Sequence, residues 1–266
     1  MRKSVFLAHV KAAARQRGGE LREYLCMTRE LGFEGLECDY TDLEQDPKGF
    51  AAMLAEAGVE FASVPYFCGF EKRLDPELIR RVVKNVAAAG GRKILAIPGF
   101  LDEKYPDGLE SMVEGLKILC REAAEQGITV SLEDFDNVNS PCSTAVGLQY
   151  FFDRVPELKF NLDTGNFLYM DQDMLEESRP LMGRIAHIHL KDRSRTPVYE
   201  NQQPQYSVNG MEMYACPVGQ GMIPIEEAIA MAQDAGYDGF CSAEHYGVAD
   251  QWDFVVKSAA WLNKYL

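Results

Sequence analysis

Four short apolar runs in the second half of the chain each break off at a residue able to bind a metal. They are Ile-Thr-Val-Ser-Leu-Glu133, Leu-Lys-Phe-Asn-Leu-Asp163, Ile-Ala-His-Ile-His189 and Gly-Phe-Cys-Ser-Ala-Glu244. Three carboxylates and one imidazole thus recur at separations of 30 (163−133), 26 (189−163) and 55 (244−189) residues. A strand–helix–strand unit takes about 30 residues, so the first two gaps hold one unit each and the third holds one unit plus an insertion. Regularly spaced donors at strand C-termini are what a closed (β/α)8 barrel produces, because its active site is built at that end.

The rest of the chain keeps the same rhythm. Apolar runs place strands at 4–10, 33–40, 59–67, 92–100, 128–135, 158–167, 185–191 and 239–246. Helical patterns fall between them, at about 19–31, 46–58, 75–90, 108–126, 143–155, 173–182, 224–235 and 250–265. Asp-Pro pairs at 46–47 and 75–76 suit helix starts. Glycines at 58, 90, 127 and 236 suit helix ends. Strict alternation predicts a parallel sheet with crossover helices. Eight units, with no Gly-x-Gly-x-x-Gly after the first strand, favour closure over an open dinucleotide-binding sheet. The 266 residues suit one barrel domain spanning 1–266, since about 250 is usual. The stretch 192–221 reads as a long irregular loop over the C-terminal face, and such loops are usually lids or binding loops.

Composition excludes several functions. The net charge is −14 and no dense Lys/Arg cluster occurs, which disfavours a nucleic-acid partner. No apolar stretch approaches the ~20 residues of a membrane span, and the run 5–10 is too short for a secretory signal. Seven scattered cysteines without C-x-x-C read as reduced thiols of a cytoplasmic protein.

At period 2, Ser131 and Glu133 share a strand face, as do Asn161 and Asp163, His187 and His189, and Ser242 and Glu244. Charged groups aimed into a barrel are costly unless paired or metal-bound. Three converging carboxylates would raise one another's pKa values, and a divalent cation removes that conflict. Mixed oxygen and nitrogen donors suit Mn²⁺, Mg²⁺, Co²⁺ or Zn²⁺.

These segments also carry a resemblance. The pieces are Gly32-Phe-Glu-Gly-Leu-Glu37, Leu132-Glu133, Leu162-Asp163-Thr-Gly-Asn166, His187-Ile-His-Leu-Lys-Asp192, Val218-Gly-Gln-Gly-Met-Ile-Pro-Ile225 and Gly236-Tyr-Asp-Gly-Phe-Cys-Ser-Ala-Glu244. In this order they resemble the xylose-isomerase-like TIM-barrel superfamily of sugar phosphate isomerases and epimerases, which includes ketose 3-epimerases, hydroxypyruvate isomerase and inosose dehydratase. The resemblance implies one divalent ion, Mn²⁺ by preference, on Glu133, Asp163, His189 and Glu244. It also implies that Glu133 and Glu244 act as an acid/base pair on a small polyhydroxylated carbonyl substrate. An arginine six residues after the metal histidine in the epimerases matches Arg195 by spacing, with Arg193 a competitor. Where some relatives carry histidine three residues after the metal aspartate, this chain has Asn166. Gln220 and Asn139 stand where glutamates are expected, which leaves the substrate open. Relatives are frequently homodimers or homotetramers.

Further candidates follow from phase. His187, Lys191 and His9 are substrate contacts or structural groups. Glu37 and Asp39 face the barrel mouth. Tyr66, Phe67 and Tyr246 sit at strand ends, where they stack on a sugar or cap the barrel. The reactions in competition are isomerisation or epimerisation, water elimination by a lyase on the same site, and non-catalytic sugar binding. An apurinic endonuclease needs more histidines than the four present.

Overall fold

The computed structural model describes residues 1–266. Eight parallel strands close on themselves: β1 (Arg2–Phe6), β2 (Gly35–Glu37), β3 (Glu60–Phe67), β4 (Lys93–Ile97), β5 (Thr129–Glu133), β6 (Lys159–Asp163), β7 (Ile185–Ser194) and β10 (Phe240–Glu244). Between the last two lies a hairpin, β8 (Gln205–Tyr206) and β9 (Glu212–Cys216). Closure is direct, since β10 pairs in parallel with both β1 and β7. The expected (β/α)8 barrel is therefore the fold, and the ring leaves no free parallel edge.

Ten helices join the strands: α1 (Leu7–Arg17), α2 (Leu21–Glu30), α3 (Tyr40–Leu43), α4 (Pro47–Ala57), α5 (Pro76–Ala88), α6 (Gly108–Glu125), α7 (Ala145–Arg154), α8 (Met174–Ser178), α9 (Ile225–Asp234) and α10 (Gln251–Tyr265). The reasons are local. In α5 the Asp75 carboxylate accepts from the N–H groups of Glu77 and Leu78, and Pro76 sits in the first turn. Ile79, Val82, Val83 and Val86 then fall on one buried face at helical spacing. Each such burial contributes about 1.5–3 kcal/mol. Helix α4 ends at Gly58, whose φ of 68° a side chain would resist.

The strands sort their residues by parity. Val5, Leu36, Val64, Ile94, Val130, Leu132, Phe160, Leu162, Ile188, Leu190, Cys241 and Ala243 are buried between sheet and helices. The alternate positions include Ser4, Glu37, Ser63, Ser131, Asn161, His187 and Ser242, also buried. The barrel interior is thus small and polar, and it satisfies itself in part: Ser4 Oγ and Ser242 Oγ share a hydrogen bond of 2.7 Å. No helix is long and apolar enough to cross a membrane.

Three expectations change. The first strand stops at Phe6, and residues 7–17 coil into α1 because Leu7, Val10, Ala13 and Ala14 bury at helical spacing. The sixth helix shrinks to α8, flanked by 3-10 turns at Phe167–Met170 and Arg179–Arg184, the second of which contains Pro180. The stretch 192–221 is irregular only in part. Strand β7 runs on to Ser194 and pairs antiparallel with β9, which pairs with β8. The hairpin walls the barrel mouth.

Candidate metal centre

A cavity of about 420 Å³ opens at the C-terminal ends of the strands. One wall is apolar, with Phe6, Pro65, Phe67, Leu95, Ile97 and Phe135. The other carries Glu133, Asn166, His189, Lys191, Arg193 and Glu244.

Strand register brings the four donors to one point. His189 pairs with Asp163 on β6 and with Ser242 on β10, two residues before Glu244. His189 Nδ1 lies 2.9 Å from Glu133 Oε2, 3.1 Å from Glu244 Oε2 and 3.7 Å from Asp163 Oδ2. All four residues are buried.

The other ring nitrogen decides what Nδ1 is. His189 Nε2 is 3.0 Å from Glu37 Oε1, and Glu37 Oε2 is 2.9 Å from His187 Nε2. An ionised carboxylate only accepts, so both imidazoles carry a proton on Nε2. His189 Nδ1 then faces three carboxylates; burial works against a charged ring, but Glu37 and Glu133 outweigh it and raise its pKa well above the ordinary value, so Nδ1 holds a proton that a cation would displace. Asp163 Oδ1 is committed to the N–H groups of Gly165 (2.8 Å) and Asn166 (3.0 Å), which leaves Oδ2, met by Lys191 Nζ at 3.0 Å, as the oxygen turned toward His189. Cis ligands around an ion with bonds of ~2.1 Å stand ~3.0 Å apart, close to two of the three separations found. The residues therefore fit a divalent cation. Glu37, His187 and His189 also cluster tightly, but hydrogen bonds between them already account for that spacing.

Charge is balanced unevenly. Burial pushes Glu133 up to about 7, although His189 opposes it. Burial acts the same way on Glu244, but Lys191 and His189 together outweigh it and hold Glu244 below the usual range. For Glu37, too, burial is overcome, here by His189 and His187, and its pKa lies well below the ordinary value. Lys191 Nζ touches Glu244 Oε1 (2.6 Å), Asn166 Oδ1 (2.7 Å) and Asp163 Oδ2 (3.0 Å).

The remaining candidates separate. Asn166 lines the cavity, with its amide nitrogen tied to Asp134 O at 2.7 Å. His187 lies one layer below His189 and is not part of the cavity wall. It is held by Glu37 and by Ser242 Oγ at 3.0 Å. His9 belongs to α1, where its Nε2 accepts the N–H of His245 at 3.0 Å and its ring stacks on that of His245. It does not line the cavity either. Arg195 lies just past the end of β7 and is exposed. Arg193 takes the place in the wall, because it continues the inward parity of residues 187, 189 and 191. That parity was the available signal for Arg193. Asp39, Phe67 and Tyr246 line the mouth, whereas Tyr66 turns away to pack on Tyr40. Nothing in the sequence pointed to Glu37 as the shared anchor of two histidines, because the contact joins positions 150 and 152 residues apart.

A model of the xylose isomerase-like TIM barrel family matches residues 27–265. The chain belongs to that family. The inosose dehydratase of Clostridium perfringens is 25% identical over 162 residues, which cover 58% of this chain and 54% of that protein. The match thus spans about half the length of that relative. Among solved structures, D-allulose 3-epimerase from Methylomonas sp. superposes with a TM-score of 0.74 at 17% identity, covering 100% of this chain and 98% of that one. The probable 3-DHS dehydratase AsbF from Bacillus anthracis superposes with a TM-score of 0.74 at 19% identity, covering 99% of both chains. These likenesses show the fold. They place this barrel beside proteins described as epimerases and dehydratases.

Proposed function

We propose that this chain is a divalent-metal-dependent isomerase or epimerase of a small polyhydroxylated carbonyl compound. One observation carries the reading: Nδ1 of His189 faces three buried carboxylates from three other strands at the floor of the cavity. Glu133, Asp163, His189 and Glu244 would hold the ion, with Mn²⁺ the expected metal and Mg²⁺, Co²⁺ or Zn²⁺ able to replace it. Such an ion supplies Lewis-acid polarisation of a carbonyl and stabilises the negative charge that develops on its oxygen. The protein supplies the proton transfer. Glu133 on β5 and Glu244 on β10 reach His189 from opposite sides along the barrel wall. One takes the proton from the carbon beside the carbonyl and the other returns one, as general base and general acid. Their unequal environments suit this division, since Lys191 and His189 together keep Glu244 ionised while burial raises Glu133. The apolar wall keeps water from the reacting face.

A second reading has specific support, since the curated relative is named inosose dehydratase. After the same proton removal, departure of a neighbouring hydroxyl gives elimination in place of epimerisation. A panel of ketoses and inososes incubated in deuterated water separates the two. An epimerase incorporates deuterium with no further change in mass, whereas a dehydratase loses the mass of water. The metal itself is tested by elemental mass spectrometry of protein saturated with Mn²⁺. About one equivalent is expected in the wild type and none in Asp163→Ala. Failure to bind metal after saturation, or binding undiminished by the substitution, overturns the reading.

A further inference from the structure

The segment Pro217–Ile223 is glycine-rich, and its backbone amides converge on a single carboxylate. Asp192 Oδ2 accepts from Gly219 N at 2.9 Å and from Gly221 N at 2.8 Å. Asp192 Oδ1 accepts from Arg193 N at 2.8 Å and from Ile223 N at 3.3 Å. In barrels of this kind, the loops after the last strands are a frequent place for a phosphate group, and converging backbone amides are the usual means. Here the chain's own carboxylate fills the cradle. The fit is close enough that a Cβ on residue 221 would lie 2.1 Å from Asp192 Oδ1. A phosphate dianion arriving at this wall finds the amides taken and a carboxylate in front of them.

One donor on the same wall is unspent. His187, His189, Lys191 and Arg193 succeed one another on the inward face of β7, and two residues of strand advance ~6.6 Å. Lys191 is saturated by its three oxygen contacts. Arg193 is not. It lines the cavity yet is only 8% exposed. Its one acidic partner is Asp136, at 3.5 Å, and Asp136 also accepts from Gln205 Nε2 at 3.2 Å. The Arg193 Nε–H has no partner at all. A buried, unpaired guanidinium N–H is costly to maintain. Its planar fork matches a carboxylate in two parallel hydrogen bonds.

We propose that Arg193 anchors a carboxylate at the end of the substrate remote from the metal centre, so that the enzyme acts on a polyhydroxylated carbonyl acid. Neutral sugars and phosphate esters are the poorer fits. The proposal rests on the reading of the His189 site as the reacting end. Asp136 turns from partner to competitor when the acid binds, and its release moves no backbone. The acidic residues Asp39, Asp136 and Asp192 lining the same cavity repel a dianion more than a monoanion.

Three ligands that differ only at carbon 6 test this: D-fructose, D-fructuronate and D-fructose 6-phosphate. Each is titrated calorimetrically into wild type, Arg193→Gln and Arg193→Lys, in Mn²⁺-loaded and in metal-free protein. In wild type, D-fructuronate is expected to bind about ten-fold tighter than D-fructose, or about 1.4 kcal/mol, and the phosphate no tighter than the free sugar. Arg193→Gln reduces the preference to less than about three-fold, while metal content stays the same. Arg193→Lys, which keeps the charge and loses the fork, falls between. Equal binding of acid and sugar by wild type overturns the proposal. So does a preference that survives Arg193→Gln, or a phosphate that outcompetes the acid. Failure of Mn²⁺ to bind strikes the metal-centre reading instead. The metal-free titrations still decide the role of Arg193, because its charge and position owe nothing to the ion.

Discussion

Replacing Glu37 with glutamine tests the metal centre without touching a proposed ligand. The substitution keeps the shape of a fully buried side chain that sits between two imidazoles at 2.9 and 3.0 Å. It converts two acceptor oxygens into one acceptor and one donor. Glutamine can receive the Nε2 proton of only one histidine. The other must present a bare Nε2 and carry its proton on Nδ1. If His189 is the one that turns over, Nδ1–H points into the carboxylates where the ion would sit. The lost charge acts in the same direction. Across the ring, Glu37 lies roughly 7 Å from an ion on Nδ1, and at an effective dielectric constant of about 20 one unit charge against a dication is worth ~5 kcal/mol. That figure is a ceiling. Outer-shell partners of this kind are worth about 10–100-fold in metal affinity, or ~1.4–2.8 kcal/mol. Competition against a fluorescent chelator measures the Mn²⁺ affinity directly. Long-range nitrogen–proton NMR on the metal-free protein reads the protonation of both histidines, with Nε2–H expected for each in wild type. An affinity within three-fold of wild type, or a His189 without Nε2–H in the unmodified protein, would refute the reasoning.

Two further outcomes follow from the same environment. Lys191→Met removes a cation 3.0 Å from Asp163 Oδ2 and 2.6 Å from Glu244 Oε1, so metal affinity should rise several-fold while turnover falls; weaker metal binding would show that Lys191 serves mainly to align those carboxylates. Stability should decline in mild acid because of the stacked pair His9 and His245. Burial lowers the pKa of both, to about 4 for His245, while unfolded histidine titrates near 6.5. Their stabilising contribution is complete above about pH 6.5 and is lost as the pH falls through the folded values, with His245 alone accounting for ~3 kcal/mol by pH 4. Urea midpoints measured from pH 7 to 4 should fall accordingly, with a shallower slope for His245→Asn; an unchanged slope in that variant would mean that His245 is not the titrating group.

The barrel was readable because its information is local. Period-2 runs, capping aspartates and terminal glycines lie within a few residues of the elements they define, and Asp75 with Pro76 sets the start of α5 without help from the rest of the chain. The four candidate donors could be picked out for a different reason. A strand end is a fixed place in a barrel, so a donor at each of four strand ends implies a common point. What escaped was whatever depends on contacts between distant segments. Glu37 looked like a mouth residue, and only the strand stagger reveals that its carboxylate meets His187 and His189. His9 followed an apolar run that could equally be strand or helix, and the helix won because α1 buries Leu7, Val10, Ala13 and Ala14 together. Arg195 was placed by spacing to a relative's arginine. Parity along β7 is the stronger guide, because alternation persists for as long as the strand does, and β7 runs on to Ser194.

That extension also separates two tasks. The proposed ligands Glu133, Asp163, His189 and Glu244 stand on four neighbouring strands of the closed barrel, whose positions are fixed by pairing on both sides. A change there would disturb the interior hydrogen bonds that bind Ser4, Ser242, His187 and Glu37 together. Arg193, Gln205 and Ala215 reach the same cavity from the antiparallel part of β7 and its hairpin, outside the ring. There a residue can change with no effect on the barrel register. On the proposed reading, proton transfer would be set by the barrel layer and the choice of substrate by the hairpin layer above it, which is free to vary. On this arrangement, Gln205→Ala and Arg193→Gln should alter which compound binds while leaving metal affinity as it was, whereas Glu37→Gln should do the reverse.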